Sequence, residues 1–268
     1  MATRTSLHVS HEETFITKHP LLTSILTILL LAIGYGVAGT ILYLNKIAGI
    51  SPVFPVNILL SVIAVLVLLK TNSWDQVFLS RPRGGVPSVR IYAPLAAVLA
   101  ITAVASIATS GITVSSVSNL IYLVLLSLSV GFVEELLFRG IIIRAWLKKG
   151  VYVAVGVSTA LFGLGHLMQL MSGQSAFGTV LQIVFSLVLG LALALVVVRT
   201  WSIWGVIVFH ALFDFVQFVS TSPTASVTDS SLYSVPMIGT LVCTIILGFY
   251  IVWLVKIPAS SPAIVMPA

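Results

Sequence analysis

The sequence predicts an all-α fold: a polytopic membrane helix bundle of about eight transmembrane helices. Two observations carry that prediction. First, 59% of the 268 residues are hydrophobic and only 7% are charged, against roughly 25% charged in an ordinary soluble chain. So few charges cannot cover the surface of a water-soluble globule of this size, and the mean hydropathy of +1.17 agrees. Second, the apolar residues fall into eight runs, each near the ~20 residues a helix needs to cross hydrocarbon.

In chain order the predicted spans are residues 21–44, 53–69, 92–113, 117–138, 151–171, 176–198, 201–219 and 235–255. The first run is too long for the apolar region of a cleaved signal peptide. The second is short and has Pro52 and Pro55 at its start. Loop 70–91, with Pro82, Gly84, Gly85 and Pro87, is the longest inner connection, and residues 220–234, rich in Ser and Thr, form the main outer loop. The chain is therefore divided into a cytoplasmic segment (1–20), N-terminal transmembrane helices (21–116), a core that holds the chemistry (117–219), an outer loop with the last span (220–256) and a disordered tail (257–268). No internal repeat suggests a transporter built from inverted halves.

Basic residues set the topology. With the N-terminus in the cytoplasm, the inner segments hold Arg4 and Lys18, then Lys70, Arg81, Arg83 and Arg90, then Arg139, Arg144, Lys148 and Lys149, then Arg199, and finally Lys256. Of the 13 Lys and Arg residues only Lys46 falls outside, as the positive-inside bias requires. The expected location is thus a multi-pass integral membrane protein with both termini cytoplasmic, in the plasma membrane if the host is prokaryotic. The net charge of +6 is spent on topology, so no nucleic acid is expected as a partner. The single cysteine, Cys243, allows no internal disulfide. Trp146 among Arg144, Lys148 and Lys149, and Trp201 and Trp204 beside Arg199, read as interfacial anchors.

Chemistry is expected where titratable groups sit inside apolar runs, because an ionisable side chain in hydrocarbon is expensive to keep. His166 and His210 do so, whereas His8, His11 and His19 lie in the polar N-terminal segment. Glu134, Glu135 and Asp214 join them. On a helix, Glu135 and Arg139 are i,i+4 neighbours and form a structural ion pair. Glu134 projects about 100° away and is left as the available carboxylate. Gly163 and Gly165, before His166, leave room for close approach of a helix or substrate. His210 and Asp214 are again i,i+4 and share a face, which Gln217 continues. Glu134, His166, His210 and Asp214 come from three spans; converged, they supply a base, a water-orienting group and oxyanion stabilisers, a hydrolase inventory. Arg139 marks the inner rim whereas His166 lies deep in its span, so for them to meet either the fourth span continues past Arg139 toward Trp146, the favoured reading, or the fifth begins later than residue 151.

The order Glu134-Glu135-xxx-Arg139, Phe162-xxx-His166 and His210-xxx-Asp214 on successive spans resembles the CPBP family of intramembrane proteases. That family includes the type II CAAX prenyl endopeptidases (Ras-converting-enzyme-like) and bacteriocin-processing relatives; the resemblance covers about residues 117–219. It implies that Glu134 and His166 activate a water for attack on a peptide carbonyl, while His210 and Asp214 stabilise the oxyanion. An ionised carboxylate repels an oxyanion, so Asp214 is expected either to be protonated or to hold His210 as an imidazolium donor. Partners are then the lipid bilayer and a peptide or lipidated-protein substrate. No cofactor is firmly called for, but Glu134, His166, His210 and Asp214 are also a credible Zn²⁺ ligand set. Against zinc, HExxH is absent, and a metal-bound Glu134 leaves no obvious carboxylate base. Two other classes stay open: a non-proteolytic membrane scaffold or regulator of the same fold, and a proton-coupled transporter.

Overall fold

A computed structural model describes residues 14–47, 49–71, 74–78, 89–170, 174–220 and 234–257, and every regular element among them is helical. The expected N-terminal segment before residue 14, most of loop 70–91, including Arg81 and Arg83, the outer loop 221–233 and the tail from 258 lie outside the described residues. The eight apolar helices are α1 (Pro20–Leu44), α2 (Val53–Thr71), α3 (Val89–Ser110), α4 (Val117–Glu135), α5 (Val151–Gly165), α6 (Ala176–Thr200), α7 (Trp204–Ser220) and α8 (Ser234–Lys256).

Local chemistry explains most of the boundaries. Pro20 opens α1, where its missing N–H is not needed. Ser116 and Ser175 cap α4 and α6, accepting from the Asn119 and Gly178 amides at 3.1 Å each. Gly150 joins α4's extension to α5 at φ +115°, a conformation open in practice only to glycine.

Seven of the eight helices are long and apolar enough to cross a membrane; α7, with 17 residues, is a shorter apolar helix. The bundle of about eight apolar helices is the one predicted, with α7 starting later than its run. The run 201–219 included Trp201, which takes a left-handed conformation (φ 53°) and closes α6 through its N–H to Val197 O at 2.7 Å. Its first three residues therefore make the turn rather than the helix.

Helix α4 does not stop at Glu135. It passes through a π-helical stretch, Leu136–Ile142, and then Ile143–Trp146 and Leu147–Lys149. Together they form one 33-residue apolar segment, Val117–Lys149. At 1.5 Å per residue that is about 50 Å, well beyond the ~30 Å hydrocarbon core, and it supplies the extension toward Trp146 that is the favoured way to meet the depth of His166. A π stretch widens the turn and displaces carbonyls from the regular ladder. One of them, Phe138 O, is taken up by the Ser158 hydroxyl of α5 at 2.8 Å.

The core lies along α6, where Ala192–Val198 are all buried. Helix α5 packs on α6, α8 bridges α3 and α6, α7 lies between α3 and α4, and α2 leans on α4. Helices α1 to α3 keep most of their surface outward, as lipid-facing helices do. The α4–α7 contact is the closest: a Cβ on Gly131 would fall 2.8 Å from Ala211 N and 3.0 Å from Ile207 O. Backbone thus meets backbone one turn before Glu135 and directly beside His210, the close approach that small residues permit between membrane helices.

Candidate active site

Contact between α4 and α7 brings the expected groups together around one imidazole. Glu135 and Arg139 form the predicted i,i+4 pair, Oε1 to Nη1 at 2.9 Å, with both side chains fully enclosed. The guanidinium also donates from Nη2 to Gly190 O at 3.3 Å and lies 4.1 Å over the Phe162 ring, a cation–π contact. Gly190 makes this possible, since a Cβ there would stand 2.9 Å from Phe162 Cδ1 and 3.3 Å from Arg139 Nη2.

Glu135 does more than the ion pair predicted. Its Oε1 also accepts from His210 Nδ1 at 2.8 Å. A carboxylate can only accept, so Nδ1 carries a proton and His210 presents Nε2 to the site. Around that nitrogen stand Glu134 Oε2 at 3.9 Å and Asp214 Oδ2 at 3.7 Å. Both separations exceed hydrogen-bonding distance and suit a bridging water or substrate atom. Glu134 and Asp214 are partly open, 21% and 18% exposed, and His210 is 7% exposed. Glu134, expected to lack a partner, therefore has His210 as its ionic partner.

His166 begins the tight turns that follow α5. Its Nδ1 lies 3.0 Å from Phe162 O, and a carbonyl can only accept, so Nδ1 donates and a neutral ring keeps its lone pair on Nε2. That nitrogen faces the Ser186 hydroxyl of α6 at 3.4 Å. His166 and His210 both lie edge-on to Phe162, at centroid distances of 5.2 and 5.9 Å. They can be no farther apart than the sum of those two distances.

Some expected contributors stand elsewhere. Gly163 permits close packing, with Leu187 2.5 Å from its would-be Cβ, but Gly165 faces open space. Gln217 accepts from Ser106 of α3 at 3.1 Å, which ties α7 to α3. Trp146 donates from its indole to Ser24 of α1 at 2.9 Å. Ser186, Ser158 and Gly190 were not anticipated. Small polar and small residues are frequent in apolar helices, and nothing in their spacing sets these three apart.

The donor types of Glu134, His166, His210 and Asp214 are those of a zinc site. Among the described residues, however, no three His, Cys, Asp or Glu side chains gather closely enough to hold a metal ion. No step below is routed through a metal.

Residues 116–216 match the family model described as type II CAAX prenyl endopeptidase, Rce1-like. Over that segment the chain is similar to the Rce1-like family. This supports the CPBP resemblance drawn from the three motifs. The matched segment runs from the cap of α4 into α7 and contains every residue described above around His210 and His166. Helices α1 to α3 and α8 lie outside the matched segment. No curated protein and no solved structure matches the chain.

Proposed function

We propose that the protein is an intramembrane endopeptidase that hydrolyses peptide bonds of membrane-associated substrates, of which prenylated CAAX-type peptides are the first class to test. The observation that carries this reading is the convergence of Glu134 Oε2 and Asp214 Oδ2 on the Nε2 side of His210, whose other nitrogen is held by Glu135. A fixed imidazole flanked by two half-open carboxyls in a lipid-embedded bundle is a poor structural element and a good hydrolytic one.

In this mechanism a water held by Glu134 and His166 attacks the substrate carbonyl carbon as its proton passes to Glu134. The carbonyl oxygen, now an oxyanion, lies against His210, which donates from Nε2 as an imidazolium. Asp214 stabilises that charged ring, and Glu135, itself anchored by Arg139, keeps it in orientation. Glu134 then returns the proton to the departing amine, the C–N bond breaks, and acid and amine products leave. We place both termini in the cytoplasm on the distribution of Lys and Arg, which requires short α7 to cross.

The test uses the full-length protein in lipid nanodiscs with a fluorogenic farnesylated CAAX peptide and its unprenylated counterpart. Turnover by wild type, abolished in Glu134→Gln, is expected. If neither turns over peptide and both complement a deletion strain equally, the protein is a membrane scaffold.

A further inference from the structure

Two hydrogen-bonded polar side chains stand on helices outside the matched segment, one of them packed against the cluster that includes Val133, the neighbour of Glu134 in the chain. Helix α2 carries a single amide, Asn57, at 0% exposure. Its Oδ1 accepts from the Tyr35 hydroxyl of α1 at 2.9 Å, while its Nδ2 has no partner among the described residues. An unpaired amide donor in the interior is expensive, more so in a helix flanked by lipid, where no water can satisfy it. Exchanging the amide's two ends would leave its oxygen unpaired instead. In either orientation Asn57 holds the phenol in place while one of its own polar atoms goes unsatisfied.

Tyr35 itself is only half-buried. It packs against the buried apolar cluster of Leu31, Val133, Leu137, Phe138, Ile142 and Phe162, in which Val133 immediately precedes Glu134 in the chain. Asn57 is enclosed and cannot reach a ligand, so anything it does is done through Tyr35.

We propose that Tyr35, clamped by Asn57, forms the α1–α2 wall of the Glu134 site and binds the main chain of the peptide substrate through its phenolic oxygen. A peptide entering from the bilayer brings N–H and C=O groups that lipid cannot satisfy. With its own proton given to Asn57, the phenolic oxygen has a lone pair for a substrate N–H beside the scissile bond. Tyr35 is then a substrate-binding residue and Asn57 a positioning residue. The proposal rests on the proteolytic reading above.

The experiment compares full-length wild type, Tyr35→Phe and Asn57→Leu in nanodiscs with the farnesylated peptide, measuring KM, kcat and thermal unfolding. Tyr35→Phe should raise KM about 5- to 10-fold, the loss of one hydrogen bond, with kcat within about twofold and the unfolding temperature unchanged. Asn57→Leu should raise KM similarly while unfolding at the same or a higher temperature, because it removes the unpaired amide. A KM unchanged in both variants, or an Asn57→Leu protein that is destabilised with KM untouched, overturns the proposal. A second arm separates this failure from failure of the proteolytic reading: anisotropy of the labelled peptide on Glu134→Gln, with and without Tyr35→Phe. About 5- to 10-fold weaker binding supports the proposal even if no variant turns over. Equal affinity, or no binding by either, overturns it.

Discussion

Gly131→Ala tests how the site is assembled more sharply than removal of any titratable group. The added methyl would lie 2.8 Å from Ala211 N, 3.0 Å from Ile207 O and 3.1 Å from Ala211 Cα. All three are backbone atoms, so no rotamer change relieves the clash, and α4 and α7 must separate. Restoring an ordinary contact of 3.4–4 Å requires a shift of about 0.6–1.2 Å, the range in which misplacement costs about 100-fold in rate. The displaced groups are those that matter: the 2.8 Å Glu135–His210 bond would stretch toward the limit of a hydrogen bond. Overpacking of this kind costs about 1–3 kcal/mol, so the variant should still insert and fold. The assay is peptide turnover in nanodiscs alongside thermal unfolding. Gly156→Ala on α5 is the control, since a methyl there meets nothing within 4 Å. We expect kcat/KM to fall about 100-fold for Gly131→Ala and to stay at wild type for Gly156→Ala. A Gly131→Ala enzyme within threefold of wild type would refute the claim that this backbone contact sets the geometry.

Three further predictions test the charges. Asp214→Asn should retain far more activity than Asp214→Ala, because an amide can still face His210 Nε2 while Ala leaves it bare; equal loss in the two, measured as kcat/KM, would defeat the assigned role. Glu135→Gln should destabilise the protein by about 3–5 kcal/mol, since it strands the fully enclosed Arg139 guanidinium and loosens His210 together; thermal unfolding with unchanged midpoint would contradict this. Activity should survive prolonged incubation with strong chelators; stoichiometric zinc in purified protein, with activity lost on chelation and restored by zinc, would reverse the metal-free mechanism.

Composition and run length made the fold legible. Charge scarcity demands lipid, and apolar runs separated by basic residues fix where helices start and stop to within a few residues. The later start of α7 has a local cause: Trp201, Ser202 and Ile203 fall in the apolar run, but their backbone is turned by the left-handed Trp201, which hydropathy cannot register. Within the site, Glu135–Arg139 was readable because i,i+4 spacing is a local property of one helix. The bond from Glu135 to His210 was not, because it joins residues 75 positions apart and depends on how closely two helices approach. Gly131 governs that approach, and in sequence it is one glycine among 19. The π stretch was equally invisible: there Phe138 O accepts from the Ile143 N–H and also from the Ser158 hydroxyl of another helix, a partner hydropathy does not reveal.

Phe162 has the Arg139 guanidinium over one face and makes T-shaped contacts with His166, His210 and Phe138. It serves as a shared bearing for the two imidazoles and the guanidinium. Anything that tilts this one ring, whether a bulky lipid tail or a neighbouring substitution, perturbs both histidines at once. Selection on either histidine's surroundings is thereby felt by the other, and changes in this corner of the protein are expected to show strong epistasis rather than independent effects.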